Sequence, residues 1–489
     1  MYIASVPNRG YPPSLLLRES YRENGKVKTR TLLNLTDWDP KHIDALRFAL
    51  KGEAIPSQAP VYGAIYGVLF VLLFLANACG LPKALGTSRE AQLVLFLVFA
   101  RIAHGGSRLS ATRWAQEQAV EALMGLSSFD ENNLYAALDW LAEHQSKIEE
   151  NLFKEHCKRT GKKPTLVLYD VTSSYFEGEE NEVAAFGYNR DGKKGKKQIV
   201  IGLLTAEDGD PLAVRVFDGN TTDCTTVPAQ IQILKQQLGI EEVVFVGDRG
   251  MVKSKQKEAL DAEGFRYITA LTDAQIRTHL KNDVIQLSLF DEKIVEVEHK
   301  NKRLILRRNE STFQREAARR QDKLQRLQSK IDERNAYIQQ HPRAKPEAGL
   351  KTLMNWAKQH KLSAFVTLAL ENQSITLHLD KEAMARSAML EGCYVLESDI
   401  PKECMDAQTI HDRYGDLQKV ERHFRTIKTD LLEVRPIFLR KKERTKAHVF
   451  IACSLAVLLE EVLFNFTLVF SQPIQGSVEV ILIKGREPH

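Results

Sequence analysis

The sequence predicts an α/β protein whose strand block follows a helical region and is interrupted late by a long insertion. Strand-sized apolar runs cluster between Pro164 and Leu271, at Leu166–Tyr169, Gln198–Thr205, Pro211–Phe217, Val243–Val246 and Tyr267–Leu271. The first three can follow one another as an antiparallel meander. A helical stretch, Pro228–Leu238, precedes the fourth, as a crossover to a parallel neighbour requires. With 489 residues the chain exceeds one ordinary domain and has room for roughly two to four structural units.

The elements divide as follows. Residues 1–58 read as a β-rich, basic module, with Asn24-Gly25 between two strand-like runs as a hairpin turn. Residues 59–160 read as helical, with long apolar faces over Glu90–Ile102 and Glu131–Leu152. Residues 161–272 form the first part of the α/β core. Residues 273–390 form an insertion with strands at Lys293–Glu298, Arg303–Arg307, Ala364–Leu370 and Ile375–Leu379 and a charged helix from Arg315, expected to be exposed or part of a short coiled hairpin. Residues 391–470 return to the core with a strand at Cys393–Leu396, a helix that Arg435-Pro436 ends, and an apolar helix over Ala447–Phe466. Residues 471–489 are a tail, strand-like only at Val478–Ile483.

Composition bounds the function. With 43% hydrophobic and 27% charged residues the chain reads as soluble and globular, and its net charge of +5 does not by itself argue for nucleic acid. Local clusters do: Arg190, Lys193, Lys194, Lys196 and Lys197; Lys300, Lys302, Arg303, Arg307 and Arg308; and Arg440, Lys441, Lys442, Arg444 and Lys446. The six cysteines have no Cys-x-x-Cys or zinc spacing, which argues for a reducing cytoplasm and against disulfides. The N-terminus has no signal-peptide pattern, and the apolar stretches Val61–Cys79 and Val449–Phe470 read as core helices rather than membrane spans.

Three carboxylates from distant segments suggest chemistry. Asp170 and Asp248 each close a buried strand, and would lie side by side if those strands paired in parallel. Glu421 lies between Tyr414 and Lys428, seven residues from each, so one helix would carry all three along one line. Such acids suit two divalent ions, Asp170 bridging both, Asp248 holding one and Glu421 the other, with Tyr414 and Lys428 positioning a phosphate. Each acid also has a plainer reading. Asp170 could cap a turn, Asp248 could pair with Arg249, and Glu421 could be a solvated helix residue. His411, His423, His448, Asp223 and Asp412 read as surface or capping groups.

The order Asp170, Asp248, Glu421 and the Tyr414/Glu421/Lys428 spacing resemble bacterial insertion-sequence transposases of the DDE type, in the insertion-sequence-four-like branch. That branch carries Tyr, Arg, Glu and Lys in this helix; here the arginine position is Leu417, and Arg413, Arg422 or Arg425 could substitute, of which only Arg425 lies a full turn from Glu421. Gly187–Asp191, Gln198–Leu203, Phe217–Asp223, Gly392–Leu396, Arg435–Ile437 and the Glu443-Arg444/His448 region are similar to further blocks of the family, so the likeness covers about residues 10–460. The resemblance implies a ribonuclease-H-like core interrupted by a β-rich insertion, with Mg2+ or Mn2+, two ions per site. It implies binding of the terminal inverted repeats, placed in the helical 59–160 region, and a synaptic homodimer. It also implies hydrolysis at the element's end to free a 3′-hydroxyl that then attacks target DNA. The expected DNA contacts are Tyr414, Lys428, Arg425, Arg249, Arg190, Lys193, Lys194, Lys196, Lys197, Arg440, Lys441 and Lys442. The implied location is cytoplasmic and nucleoid-associated, without membrane. The three carboxylates and Lys428 favour an active enzyme, while Leu417 and the tail after Gln472 count modestly toward the alternative, a catalytically impaired descendant that only binds DNA.

Overall fold

The structure, a computed structural model, describes residues 1–51, 64–178, 180–188, 190–193, 195–341, 343–428, 432, 434 and 437–455. It divides into two compact units, Met1–Ala64 and Ile65–His489. In the first, β1 (Tyr2–Asn8), β2 (Tyr11–Glu23) and β3 (Lys26–Asn34) form an antiparallel sheet. Asn24 (φ 49°) and Gly25 (φ 77°) adopt the left-handed backbone that a tight two-residue hairpin demands. A helix, α1 (Pro40–Lys51), follows where only β structure was expected. Its charged residues Lys41, Asp44 and Arg47 obscure the helical period, yet Pro40 starts it and Asp39 caps it by accepting the Lys41 N–H.

The second unit opens with α2 (Gly67–Ala78), α3 (Leu81–Leu85), α4 (Arg89–Ala103), α5 (Arg108–Glu117), α6 (Val120–Met124) and α7 (Glu131–Thr160). Asp130 and Asn133 cap α7 reciprocally through their side chains. No single helix among the described residues is long and apolar enough to cross a membrane; of the stretch Val61–Cys79, α2 takes 12 residues and residues 61–63 lie outside the described set.

The remaining strands are β4 (Leu166–Tyr175), β5 (Gln198–Ala206), β6 (Pro211–Phe217), β7 (Val244–Gly247), β8 (Arg266–Ala270), β9 (Val295–His299), β10 (Lys302–Arg308), β11 (Val366–Glu371), β12 (Ser374–Leu379) and β13 (Cys393–Ser398). Eight of them form one mixed sheet in the order β6-β5-β4-β7-β8-β13-β10-β9. β4, β7 and β8 run parallel, and the strands on either side of them pair antiparallel. The helices interleaved with these strands are α8 (Val227–Gln232), α9 (Ser254–Ala262), α10 (Asp273–Lys281), α11 (Glu310–Gln340), α12 (Pro346–Gln359), α13 (Lys381–Ala388), α14 (Ala407–Gly415), α15 (Leu417–Lys428) and α16 (Lys442–Phe450).

Both faces of the sheet are covered, which the two-residue period of β4 makes plain. Leu166 and Leu168 enter a core with residues of α4, α7, α15 and α16, whereas Val167, Tyr169 and Val171 enter another with α8 and Leu260 of α9. Gly202 of β5 admits the Tyr169 hydroxyl, since a β-carbon there would lie 2.4 Å from it. Glu149 of α7, fully buried, accepts from both terminal nitrogens of Arg215 on β6 at 2.6 and 2.9 Å and ties that helix to the sheet.

Three expectations change. β4 does not end at Asp170 but continues to Tyr175; Thr172, Ser173 and Ser174 interrupt the apolar run, yet all three are buried. The insertion is less β-rich than expected, because β9 and β10 extend the main sheet. Between β10 and β13 the chain is mostly helical, with one hairpin, β11–β12. The charged α11 is not simply exposed: Leu327, Ile331 and Ile338 form a core with Leu353 of α12 and Ile375 of β12. The C-terminal helix is seen as α16 and a wider helical turn, Ile451–Leu455. Its predicted continuation to Phe466, the stretch to Phe470, the Val478–Ile483 run and Arg435-Pro436 lie outside the described residues.

Candidate active site

The acids meet because of strand register. β4 and β7 pair in parallel with Tyr169 opposite Gly247, so the next residues, Asp170 and Asp248, sit side by side. Alternation along β4 turns Asp170 to the face that α15 covers. α15 buries Leu417, Val420, His423, Phe424 and Ile427 at helical spacing. Its position is fixed on the β5–β6 turn, where His423 Nε2 donates to the Gly209 carbonyl at 2.9 Å and Lys419 Nζ to the Glu207 carbonyl at 2.6 Å. Glu421 then lines the same hollows as Asp170 and Asp248.

Burial pushes the Asp170 carboxyl up to about 7, with the Asp248 and Glu421 charges adding to the effect. The Val171 N–H, 2.7 Å from Oδ1, and the Arg190 charge act in the opposite direction. Tyr414 donates its hydroxyl to Asp248 Oδ1 at 3.0 Å; burial and that carboxylate hold the phenol well above its ordinary range. Three carboxylates gathered around one hollow, with oxygen donors alone, fit a hard divalent cation. Their oxygens are not all within 4.8 Å of one another, a spacing wider than a single tight cage. The group that does reach that closeness among the described residues, His156, Asp208 and Asp210, lies elsewhere. There Asp210 already takes His156 Nδ1 at 2.8 Å and Arg159, which ties α7 to the β5–β6 turn.

Two hollows share the acids. The first, about 550 Å³, is lined by Asp170, Asp248 and Glu421 together with Arg249, Arg307, Tyr394, His411, Tyr414 and Leu417. The second, about 480 Å³, is lined by the same acids with Thr172, Arg190, Asp223, Arg425 and Lys428. The expected single helix from Tyr414 to Lys428 is interrupted: α14 ends at Gly415 and α15 starts at Leu417, Gly415 being a poor helix former. Tyr414 and Lys428 therefore reach the site from different helices. Lys428 Nζ donates to Thr172 Oγ1 at 2.6 Å and to Asp191 at 2.9 Å, with both charged side chains largely buried.

The other predicted contacts separate. Arg190 pairs with Asp223 in the second hollow. Arg425, 80% exposed, lies 3.8 Å from Glu421. Arg249 pairs with Asp273 at 3.7 Å rather than with Asp248. Lys193 lies over the Tyr175 ring, 5.7 Å from its centroid, and Lys196 pairs with Glu177 at 2.8 Å. Arg440 pairs with Glu180 at 3.5 Å, Lys441 and Lys442 are exposed at the start of α16, and Lys197 gives its carbonyl to Phe176 N. Lys194 lies outside the described residues. The 176–185 segment connects the two clusters, since Phe176 bridges to Ile437 and Glu182 binds the backbone of Arg440 and Lys442.

Sequence reasoning missed Thr172, Asp191 and Asp223 as site residues, and it misplaced the histidines. His423 and His448 are buried, each bound to a backbone carbonyl, and His411 joins Arg307 and Tyr394 beside the acids. Asp412 is bound to His411 at 3.0 Å. A lone histidine in a charged helix gives no sign of which strand it will meet. A third hollow, about 580 Å³, shares Arg249, Asn309 and Tyr394 with the first and adds Arg277, Arg319, Lys323 and Lys361, none of them predicted.

Comparison with known proteins supplies the family. The Transposase DDE domain model matches residues 161–459, and the model of the IS1634 family transposase N-terminal domain matches residues 3–60. Among solved structures, a piggyBac transposase synaptic complex with hairpin DNA is similar over 84% of this chain and 74% of its own, at 8% identity and a TM-score of 0.38. A Mos1 transposase paired-end complex is similar over 37% of this chain and 59% of its own, at 9% identity and a TM-score of 0.17. No curated protein gives a significant match. The DDE domain model covers more than half of the chain and spans all three acids, and the chain belongs to the insertion-sequence transposases of the DDE type.

Proposed function

We propose that this transposase binds the terminal inverted repeats of its element and that Asp170, Asp248 and Glu421 form one metal-dependent site for cutting the ends and joining them to target DNA. The observation that carries the reading is the parallel β4–β7 register, which sets Asp170 beside Asp248 under the helix that bears Glu421. The three carboxylates would hold two Mg2+, or Mn2+, which when bound supply charge stabilisation at phosphorus and an activated oxygen nucleophile. Tyr414 orients Asp248 through its hydroxyl, and Lys428 presents an ammonium beside the scissile phosphate from a seat on Thr172 and Asp191. In the first step a water oxygen bonds to phosphorus and the 3′-oxygen leaves and takes a proton. In the second the oxygen of that 3′-hydroxyl bonds to a phosphorus of target DNA, the target strand's own 3′-oxygen leaves, and the hydroxyl's proton ends on that leaving oxygen.

Arg190, Lys193, Lys194, Lys196, Lys197, Arg249, Arg425, Arg440, Lys441 and Lys442 serve as phosphate contacts, with the strong salt dependence such contacts bring. The repeats are recognised within the first 160 residues, and two copies pair two ends. The sequence spacing of Tyr414, Glu421 and Lys428 supports placing the chain near the insertion-sequence-four-like branch, with Leu417 as its departure. The test uses a labelled duplex carrying the element's terminal repeat, with magnesium. Wild type should nick at the repeat boundary while Asp170→Ala, Asp248→Ala and Glu421→Ala bind without cutting. Binding without cutting by wild type, with either metal, would instead support the DNA-binding descendant.

A further inference from the structure

Most cations around the acids already have a carboxylate. Lys428 has Asp191, Arg190 has Asp223, and within the basic cluster of β10 Arg303 has Glu296 and Arg308 has Asp291. Arg307 differs. It is half-buried, it lines the 550 Å³ hollow with Asp170, Asp248 and Glu421, and no carboxylate oxygen among the described residues lies within 4.0 Å of its guanidinium nitrogens. Its nearest partners are a histidine and a tyrosine rather than carboxylates. Nη1 donates to His411 Nε2 at 2.8 Å, and Tyr394, its cross-strand neighbour on β13, meets the same ring nitrogen. His411 Nδ1 lies 3.0 Å from Asp412 Oδ1 and 3.3 Å from Arg307 Nη1; the tautomer that donates Nδ1–H to that carboxylate leaves Nε2 to accept from Arg307.

We propose that Arg307, steadied by His411 and Tyr394, is a phosphate-binding residue of the catalytic pocket, holding the DNA strand on the side of the acids opposite Lys428. This rests on the DNA-cutting role proposed above. A partly desolvated guanidinium with no carboxylate in direct contact has much to gain from an anion, and its planar fork matches a phosphate. The two hollows share the three acids, with Arg307 in one and Lys428 in the other. A strand laid across the acids meets both cations in turn. Neither of the neighbours that hold Arg307 competes with a phosphate for its charge.

The test is a scan of single neutral methylphosphonate linkages across the cleavage boundary of the end duplex, cut by wild type and by Arg307→Gln. The variant should cut about 10- to 100-fold more slowly on natural DNA. One neutral linkage should slow wild type by a similar factor and leave the variant almost unaffected. Arg307→Lys, which keeps the charge and loses the fork, should retain sensitivity at that linkage. If every linkage costs wild type and Arg307→Gln alike, Arg307 does not hold a phosphate, whatever its effect on rate. A wild type that cuts none of the duplexes counts against the proposed function instead, and equilibrium binding of the same scan on a pre-nicked end then reads the Arg307 contact independently.

Discussion

The two sides of the acid pocket manage positive charge differently. On one, Lys428 is largely buried and matched by Asp191, a pair that the fold makes for itself before any substrate arrives. On the other, Arg307 is held by His411 and Tyr394 rather than by a carboxylate, so its charge is available to whatever enters. A buried pair contributes order, and losing one partner is costly because the other is left as an isolated charge. A cation with no carboxylate in direct contact contributes little to folding and more to ligand binding. Side chains of the same charge sign, both beside the acids, are therefore expected to fail in different ways when removed.

The largest effect should come from what both sides share. Asp170→Asn or Asp248→Asn should slow end cleavage on the order of 10³-fold or more with binding retained, measured by single-turnover cutting. Next, Lys428→Ala should lower stability by about 3 kcal/mol in denaturant unfolding, since it removes one side of a largely buried ion pair, and adding Asp191→Asn should recover part of that. Arg307→Gln should change stability by less than about 1 kcal/mol in the same experiment. Equal losses for the two would erase the contrast.

The acids give a pH signature. With its carboxyl pushed up to about 7, Asp170 holds a proton that a metal ion must displace. Apparent metal affinity, followed by calorimetry, should rise up to about tenfold per pH unit toward 7 and level off above it. The metal-free fold should lose stability over the same rise, because a raised carboxyl pKa means that the folded state binds the proton more tightly than the unfolded chain. Asp170→Asn should remove both trends. The smallest effect concerns Leu417, which lines the same hollow as Arg307 at the place where the family pattern expects arginine. Leu417→Arg should restore cutting only about threefold in an Arg307→Gln background, since residue 417 is buried and an arginine there must first escape the core.

Strands were legible where apolar runs were uninterrupted. Pro211–Phe217 matches β6, and the Asn24-Gly25 turn matches its hairpin, because both signals are local. The full length of β4 was not, since Thr172, Ser173 and Ser174 look like a loop until the sheet that buries them is known. The three acids were singled out from apparent strand ends and helical spacing, although β4 runs on past Asp170 and the helix is split before Leu417. Asp191, Asp223 and the Arg307–His411–Tyr394 group were not, because each depends on contacts between segments far apart in the chain. The break at Asp416 escaped for a related reason: Tyr414 and Lys428 keep their spacing in sequence although α14 ends and α15 begins between them.

The most direct test of a single shared metal-dependent site compares the Asp170→Ala, Asp248→Ala and Glu421→Ala variants with the triple variant, in magnesium-dependent cutting of the end duplex under conditions where all bind it equally. If the acids act as one unit, each single variant falls to about the same residual rate as the triple variant. A single variant that keeps substantial cutting, or single losses that add up to the triple loss, would contradict the account.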